Sequence, residues 1–237
     1  MNTKIKQCKK REILVEHNAL VSARHDMTAV EQNIFCMLVR HIEEKDSLEK
    51  HYFIRLRELE AAVGRKVNRM QVKKLAKQIS ERTCEITQEN GNKHDVALIS
   101  YLEYIRGAGT LEIGLSAAVR PYLFGLERRF TKYDFHMFMS LKSKYAKRMY
   151  KMLSQFKNTG IMRISVEELK HRLQLINPKT GVDKYGPWST FVKQVLEVSK
   201  RELQQHTDIS FVYIAKKTGR KFTDLEFKIK HMLVHLL

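Results

Sequence analysis

The strongest constraint on this chain is an order of elements that occurs twice. In the first half, Thr28-Ala-Val-Glu31 has the form of a capping box with Thr28 as N-cap. Val30, Ile34, Met37, Leu38 and Ile42 follow at helical spacing, which predicts a helix over roughly 28–43. His51 to Leu56 reads as a short strand, and the next residues to Val63 as a short helix stopped by Gly64. Another helix starts near Asn68, with Val72, Leu75, Ala76 and Ile79 on one face. Strands at about 83–88 and 95–105 are expected to join through Asn90-Gly91, a dipeptide that accepts positive φ. A strand near 110–115 and a short helix around 116–124 complete this half.

The second half repeats the order. Ser143 to Phe156 reads as a helix with Tyr145, Met149, Met152, Leu153 and Phe156 facing a core, ended by Gly160. Ile161 to Ile164 is a strand, and Ser165-Val-Glu-Glu168 is a second capping box. After a turn over 177–187, a longer helix of about 189–205 carries the apolar stripe Val192, Val195, Leu196, Ser199 and Leu203. Strands at about 208–215 and 222–230 are joined by Lys216 to Lys221. Residues match as well as order: Ile54–Leu59 corresponds to Ile164–Leu169 with a shared Glu-Leu, and Val72-Lys73 to Val192-Lys193. Helix, turn, helix and hairpin form the winged-helix plan. The expected fold is therefore α+β, two tandem winged-helix domains related by an internal repeat. A flexible basic tail is expected over 1–13, a first domain over 14–125 and a second over 126–237.

Charge points to the partner. Lys and Arg outnumber Asp and Glu by 44 to 26, a net +18. Residues 1–118 carry only +4 of it, and residues 119–237 carry +14. A field that lopsided fits a polyanion, with nucleic acid ahead of an anionic membrane surface or a merely soluble basic protein. No apolar run approaches the ~20 residues that span a bilayer, and the N-terminal lysines have no apolar segment of a secretory signal behind them. Cys8, Cys36 and Cys84 are an odd, scattered set, expected to be free thiols in a reducing cytosol.

Particular residues carry the DNA expectation. Lys144, Lys147, Arg148 and Lys151 recur at i, i+3, i+4 and i+7, and read as a phosphate-facing stripe. Lys142, Ser143 and Lys200 join them as expected backbone contacts. Ser189, Thr190, Lys193 and Gln194 fall in the first turns of the candidate recognition helix, where side chains meet base edges. Lys193 suits guanine O6/N7 and Gln194 suits adenine; both are also ordinary exposed polar types. Tyr185 and Trp188 suit stacking on DNA or packing at the turn. Lys216, Lys217, Arg220 and Lys221 surround a Gly at a wing tip. The first-half tip, Glu89 to Lys93 with flanking Glu85 and Asp95, is acidic by comparison. Arg65, Lys66, Arg69, Lys73 and Lys77 form an acid-free run suited to weaker backbone contact in the first domain.

A family resemblance adds to this. Arg129-Phe-Thr-Lys-Tyr133, Leu141-Lys-Ser-Lys-Tyr-Ala-Lys-Arg-Met-Tyr-Lys-Met-Leu153 and Ile164-Ser-Val-Glu-Glu-Leu169 resemble the second winged helix of iteron-plasmid replication initiator proteins. Tyr185, Phe191-Val-Lys193 and Lys217-Thr-Gly-Arg220 continue the likeness, and Arg120-Pro-Tyr-Leu-Phe124 and Leu20 to Phe35 extend it into the first half. The resemblance implies double-stranded DNA as partner. The DNA sites would be origin iterons, and an operator inverted repeat bound by a homodimer that represses its own gene. The first winged helix would supply most of the dimer interface. The host initiator protein and replicative helicase would be recruited at an opened AT-rich stretch. It also implies a bacterial cytoplasmic, plasmid- and nucleoid-associated location and no cofactor. Where the family often carries arginines on the reading helix, this chain has Val192, Lys193 and Gln194.

Other classes fit less well. No His-x-His occurs, as a metal-dependent nicking enzyme would need, and no Gly-x-x-x-x-Gly-Lys-Ser/Thr loop occurs for nucleotide hydrolysis. His231 and His235 have a metal-compatible spacing without nearby acids or cysteines. No catalytic residue, metal site or membrane partner is expected. A winged-helix transcriptional repressor without initiator activity is the alternative on the same physics.

Overall fold

The computed structural model describes residues 12–67, 72, 78–88 and 90–232. Two three-stranded antiparallel sheets organise it. The first has strand order β2(His51–Arg55)–β6(Thr110–Leu115)–β5(Ile99–Ile105), and the second β8(Ile161–Ser165)–β10(Lys221–His231)–β9(Ile209–Thr218). In both, the strand after the first helix pairs with the returning strand of the hairpin. Helix α3(Leu56–Val63) follows β2, and α6(Val166–Arg172) follows β8. Gly64, at φ +71°, closes α3 in the left-handed region that an L side chain resists. Between β2 and β5 the first half inserts an extra two-stranded hairpin, β3(Thr83–Thr87)–β4(Lys93–Ala97).

That insertion corrects one expectation. Asn90-Gly91 does make a tight turn, with Gly91 at φ +83°, but it joins β3 to β4 and not the strands of the wing. The counterpart of the β9–β10 wing is β5–β6, which turns at Arg106 to Gly109. The expected short helix near 116–124 reduces to a single 3-10 turn, Arg120–Tyr122.

Helix α2(Ala29–Arg40) starts at the expected capping box: Thr28 Oγ1 accepts from Glu31 N at 3.3 Å, and Glu31 Oε2 accepts from Thr28 N at 2.6 Å. Every residue from Glu31 to Val39 is buried, beyond the one-sided stripe the spacing suggests. A helix covered all round lies inside a molecule. Gln32 Nε2 donates to Met27 O at 3.1 Å and to Lys144 O at 3.3 Å, tying α2 to the start of α5(Lys144–Ser154).

The N-terminal strand fastens the halves together. β1(Ile13–His17) pairs with β7(Phe130–Asp134), which leads through α4(Phe135–Ser140) into α5. The basic tail expected over 1–13 lies almost wholly outside the described residues. α5 supplies the main fastening. Lys151 Nζ meets Glu16 Oε1 at 2.6 Å, and the Tyr133 hydroxyl donates to the same carboxylate. Arg148 Nη1 and Nη2 donate to Val21 O and Ala23 O at 3.0 and 2.5 Å. Lys147 Nζ donates to Phe138 O at 2.6 Å and lies 4.3 Å from the Phe138 ring centroid. These three cations are 0%, 4% and 7% exposed for Lys147, Arg148 and Lys151. Arg24 adds a second tie, donating to Gln174 Oε1 at 2.5 Å and Ile176 O at 3.0 Å, with Glu85 at 3.6 Å. Cys36 and Cys84 are buried free thiols, each pushed up to about 12 by desolvation; Cys8 is outside the described residues.

Two predictions follow from the inward cations. Lys151→Ala leaves the Glu16 carboxylate buried without its cation and is expected to cost about 3–5 kcal/mol in denaturant unfolding; a loss below about 1 kcal/mol would contradict the internal pair. Burial also pushes the Lys147 amine from 10.5 down to about 7. Above pH 7 the unfolded chain therefore binds more protons than the folded one, so this group's penalty shrinks as pH rises. Wild type should gain stability relative to Lys147→Met between about pH 7 and 9, and parallel stability curves for the two would exclude this.

Candidate nucleic-acid interface

The expected reading helix is present as one continuous helix, α7, in three pieces: Trp188–Phe191, a π turn Val192–Leu196 and Glu197–His206. Phe191, Val195, Leu196, Ser199 and Leu203 are buried, which fixes the inward face. Ser189, Lys193, Gln194, Glu197 and Arg201 are exposed, and Thr190 is half-buried. The π turn contains Lys193 and Gln194. Such a turn inserts one residue into the helix and widens it, a feature frequent at functional sites. Sequence periodicity carries no mark of it.

The helix and the wing are locked to each other. Trp188 stacks on Phe222 at the base of β10, with centroids 4.2 Å apart and planes 19° apart. Lys217 Nζ lies 4.6 Å from the same Phe222 ring. Further along, the Tyr213 hydroxyl on β9 donates to Glu197 Oε1 at 2.9 Å, and burial with that bond pushes the Tyr213 phenol up to about 12. The only Trp therefore packs, and the same contact sets the wing against the start of α7. Tyr185 also packs, edge-on to Tyr145 at 6.0 Å. The loop between α6 and α7 is held by Lys170 Nζ, which meets Asp183 Oδ2 at 2.6 Å and Tyr185 O at 3.2 Å.

The wing tip is as cationic as the sequence suggests. Lys216, Lys217, Arg220 and Lys221 are all exposed, and Gly219, at φ +62°, makes the turn between them. The β9 and β10 strands run closer to the tip than expected, to Thr218 and from Lys221.

The expected stripe on α5 is overturned. Lys147, Arg148 and Lys151 point into the molecule and satisfy carbonyls and Glu16. Their spacing builds a buried polar row, with no access for a phosphate. Lys144 is half-buried and paired with Asp26 at 2.7 Å. Ser143 is the N-cap of α5: its Oγ accepts from Tyr145 N and Ala146 N, and its own N–H donates to Glu202 on α7. The Lys142 N–H donates to Glu202 too, while its side chain is exposed. Lys200 is half-buried on α7.

In the first half, Arg65 and Lys66 are exposed after α3, and Arg69, Lys73 and Lys77 lie outside the described residues. The tip equivalent to the second wing is Arg106-Gly-Ala-Gly109, with one cation. The acids near 85–95 belong to the inserted hairpin, where Glu85 meets Lys93 at 3.0 Å and Arg24 at 3.6 Å. Phe222 is not singled out by the sequence, although an aromatic flanking the tip is the available signal for it.

Among the described residues no group of His, Cys, Asp or Glu could hold a metal ion, and no helix is long and apolar enough to cross a membrane. His231 pairs instead with Asp208 at 3.1 Å, and His235 lies outside the described residues.

Comparison with known proteins bears on this arrangement. Residues 13–154 match the family model "Initiator Replication protein, WH1", and residues 165–229 match "Initiator Rep protein, WH2". A "Probable replication protein rep" of Bifidobacterium longum (strain NCC 2705) is 31% identical over 81 residues, spanning 34% of this chain and 27% of that protein. Among solved structures, "Crystal structure of Pi initiator protein in complex with iteron DNA" superposes at TM-score 0.79 with 22% identity, covering 93% of this chain and 98% of that one. The first sheet lies within the first matched span and the β9–β10 hairpin almost wholly within the second, in that order: the chain belongs to the initiator replication protein family, with its two winged-helix regions in tandem.

Proposed function

We propose that this chain is a sequence-specific double-stranded DNA-binding initiator of plasmid replication. It seats the first turns of α7 in a major groove at repeated origin sites and lays the β9–β10 wing along the adjoining strand. One observation carries this: α7 and the wing tip hold out Lys193, Lys216, Lys217, Arg220 and Lys221 to solvent, whereas Lys147, Arg148 and Lys151 of α5 are consumed inside. The Trp188–Phe222 stack supports it, since it presents helix and wing to a duplex as one rigid body. So does the likeness of fold to the Pi initiator, described as bound to iteron DNA.

Roles divide among the residues. Lys193 and Gln194 read base edges, with Ser189 and Thr190 beside them. Glu197, fixed by Tyr213, offers an acceptor on the same face. Lys142, Lys200, Lys216, Lys217, Arg220 and Lys221 hold phosphates. The first winged helix contributes a homodimer interface and weaker backbone contact through Arg65 and Lys66. At the origin the bound chain helps open AT-rich DNA and recruits the host initiator protein and replicative helicase. As a dimer it represses its own gene at an inverted repeat. It works in the bacterial cytoplasm with no cofactor and no catalysis of its own.

The direct test supplies the chain in trans to an origin fragment. Replication of the fragment is expected; repression of the flanking promoter without replication would reduce the chain to a repressor. On a duplex recovered by footprinting the DNA beside its gene, Lys193→Ala should weaken binding by about 1–3 kcal/mol and relax one base position. Equal weakening on random DNA would move Lys193 to the backbone. About six phosphates neutralised by Lys142, Lys200, Lys216, Lys217, Arg220 and Lys221 give a log–log salt slope of about −5. Lys217→Ala should flatten it by about one; an unchanged slope would take the wing off the DNA.

A further inference from the structure

The outer faces of the two sheets occupy equivalent places in the repeat and have diverged in opposite directions. Pairing register lays each out as a small grid. In the first sheet one row is Phe53, Glu112 and Glu103, and the next is His51, Gly114 and Tyr101. The matching rows of the second are Arg163, Glu226 and Ile214, then Ile161, Lys228 and Val212.

The first face is aromatic and acidic. Phe53 is 54% exposed and Tyr101 38%. The His51 and Tyr101 rings stack at 4.7 Å across Gly114, where a Cβ would come within 3.2 Å of His51. Glu103 is exposed and accepts from the Tyr101 hydroxyl at 2.5 Å, and Glu112 meets His51 at 2.6 Å. The second face is aliphatic and cationic. Val212, Ile214 and Ile161 are 48%, 45% and 38% exposed. Arg163 neutralises Glu226 at 2.8 Å, leaving Lys228 and Lys230 exposed without an ion pair among the described residues. Both faces keep large apolar side chains in water, and their charges are opposite in sign on balance: Glu103 and Glu112 outnumber Arg55 on the first, and Arg163, Lys216, Lys228 and Lys230 outnumber Asp224 and Glu226 on the second. Exposed apolar side chains grouped with complementary charge mark an interaction surface.

We infer that these two faces are the halves of one contact, made head to tail between successive copies of this chain. The first-sheet face of one copy covers the second-sheet face of the next. A contact between unlike patches does not close on itself and can repeat along a row. Direct repeats present bound copies in one orientation, so a symmetric patch cannot join neighbours there, whereas this one can. The association itself stands on the two faces; its place on tandem sites rests on the DNA reading proposed above.

Sedimentation velocity at low ionic strength, on the full chain without DNA, tests it through Glu103→Lys and Lys228→Glu. Both positions are exposed and neither is among the residues given a DNA contact above, and a thermal melt checks that each variant folds. Wild type should form species larger than a dimer as concentration rises, since a contact between unlike patches does not close. Each variant alone should go no further than a dimer, because like charges then meet at the head-to-tail contact. An equimolar mixture of the two should regain pairing, since each retains the face the other lost. On DNA, affinity for a single site should be unchanged in both variants, while the advantage of a second adjacent site, about 5- to 150-fold for a coupling of ordinary size, should fall. Failure of wild type to bind a single site would sink the DNA reading and leave the sedimentation result standing. The head-to-tail contact is overturned if wild type goes no further than a dimer, if Lys228→Glu associates like wild type, or if the mixture does no better than its components.

Discussion

Everything else in the molecule depends on three cations that α5 turns inward. Lys147, Arg148 and Lys151 lie in a region with little water, and each needs a partner there. Arg148 takes the carbonyls of Val21 and Ala23, and Lys151 takes Glu16. Those partners all come from the N-terminal segment, more than a hundred residues away in sequence. The strand pair β1–β7 and α2, buried from Glu31 to Val39, complete the same joint. Two winged helices that are separate in sequence are thereby held at a defined angle. In the proposed function, a protein that must address DNA with one domain and other copies with the other needs that angle fixed.

The joint leaves the reading surface to α7 and the wing. Trp188 on Phe222 couples them at one end, and Tyr213 on Glu197 couples them further along. Lys217 over the Phe222 ring ties a tip cation to the same stack. A wing pinned in this way loses less conformational freedom on meeting a duplex. The π turn at Val192–Leu196 sits within this clamp and presents Lys193 and Gln194 from a widened turn. The first copy of the repeat has no such tip: Arg106 is its one cation, and its outer sheet face is aromatic and acidic.

Much of this was legible from residues. The Thr28 capping box, the Ser165 N-cap (whose Glu168 side chain pairs with Arg172 and does not close a second box), the apolar stripes and the repeated Glu-Leu carry the tandem winged-helix plan, and the cluster around Gly219 carries the wing. The misreadings have physical causes. A basic row at i, i+3, i+4 and i+7 looks alike whether it meets water or a second domain, and Glu16 and Val21 are too distant in sequence to reveal which. Lys93–Ala97 and Ile99–Ile105 run together as one strand, yet the chain passes at buried Leu98 from one sheet to another. No propensity marks that break, so residues 95–105 read as one strand and the sequence puts the first wing tip at Asn90-Gly91. The π turn and the Trp188–Phe222 stack are tertiary facts without a sequence period.

Lysine acetylation with mass-spectrometric readout, with and without origin DNA, reaches the central claim most directly. In the free chain Lys193, Lys216, Lys217 and Lys221 should be labelled and Lys147 and Lys151 should not. Added DNA should protect the first four and leave the last two unchanged. Labelling of Lys147 and Lys151 in the free chain, followed by their protection on DNA, would place α5 against the phosphates and contradict the account.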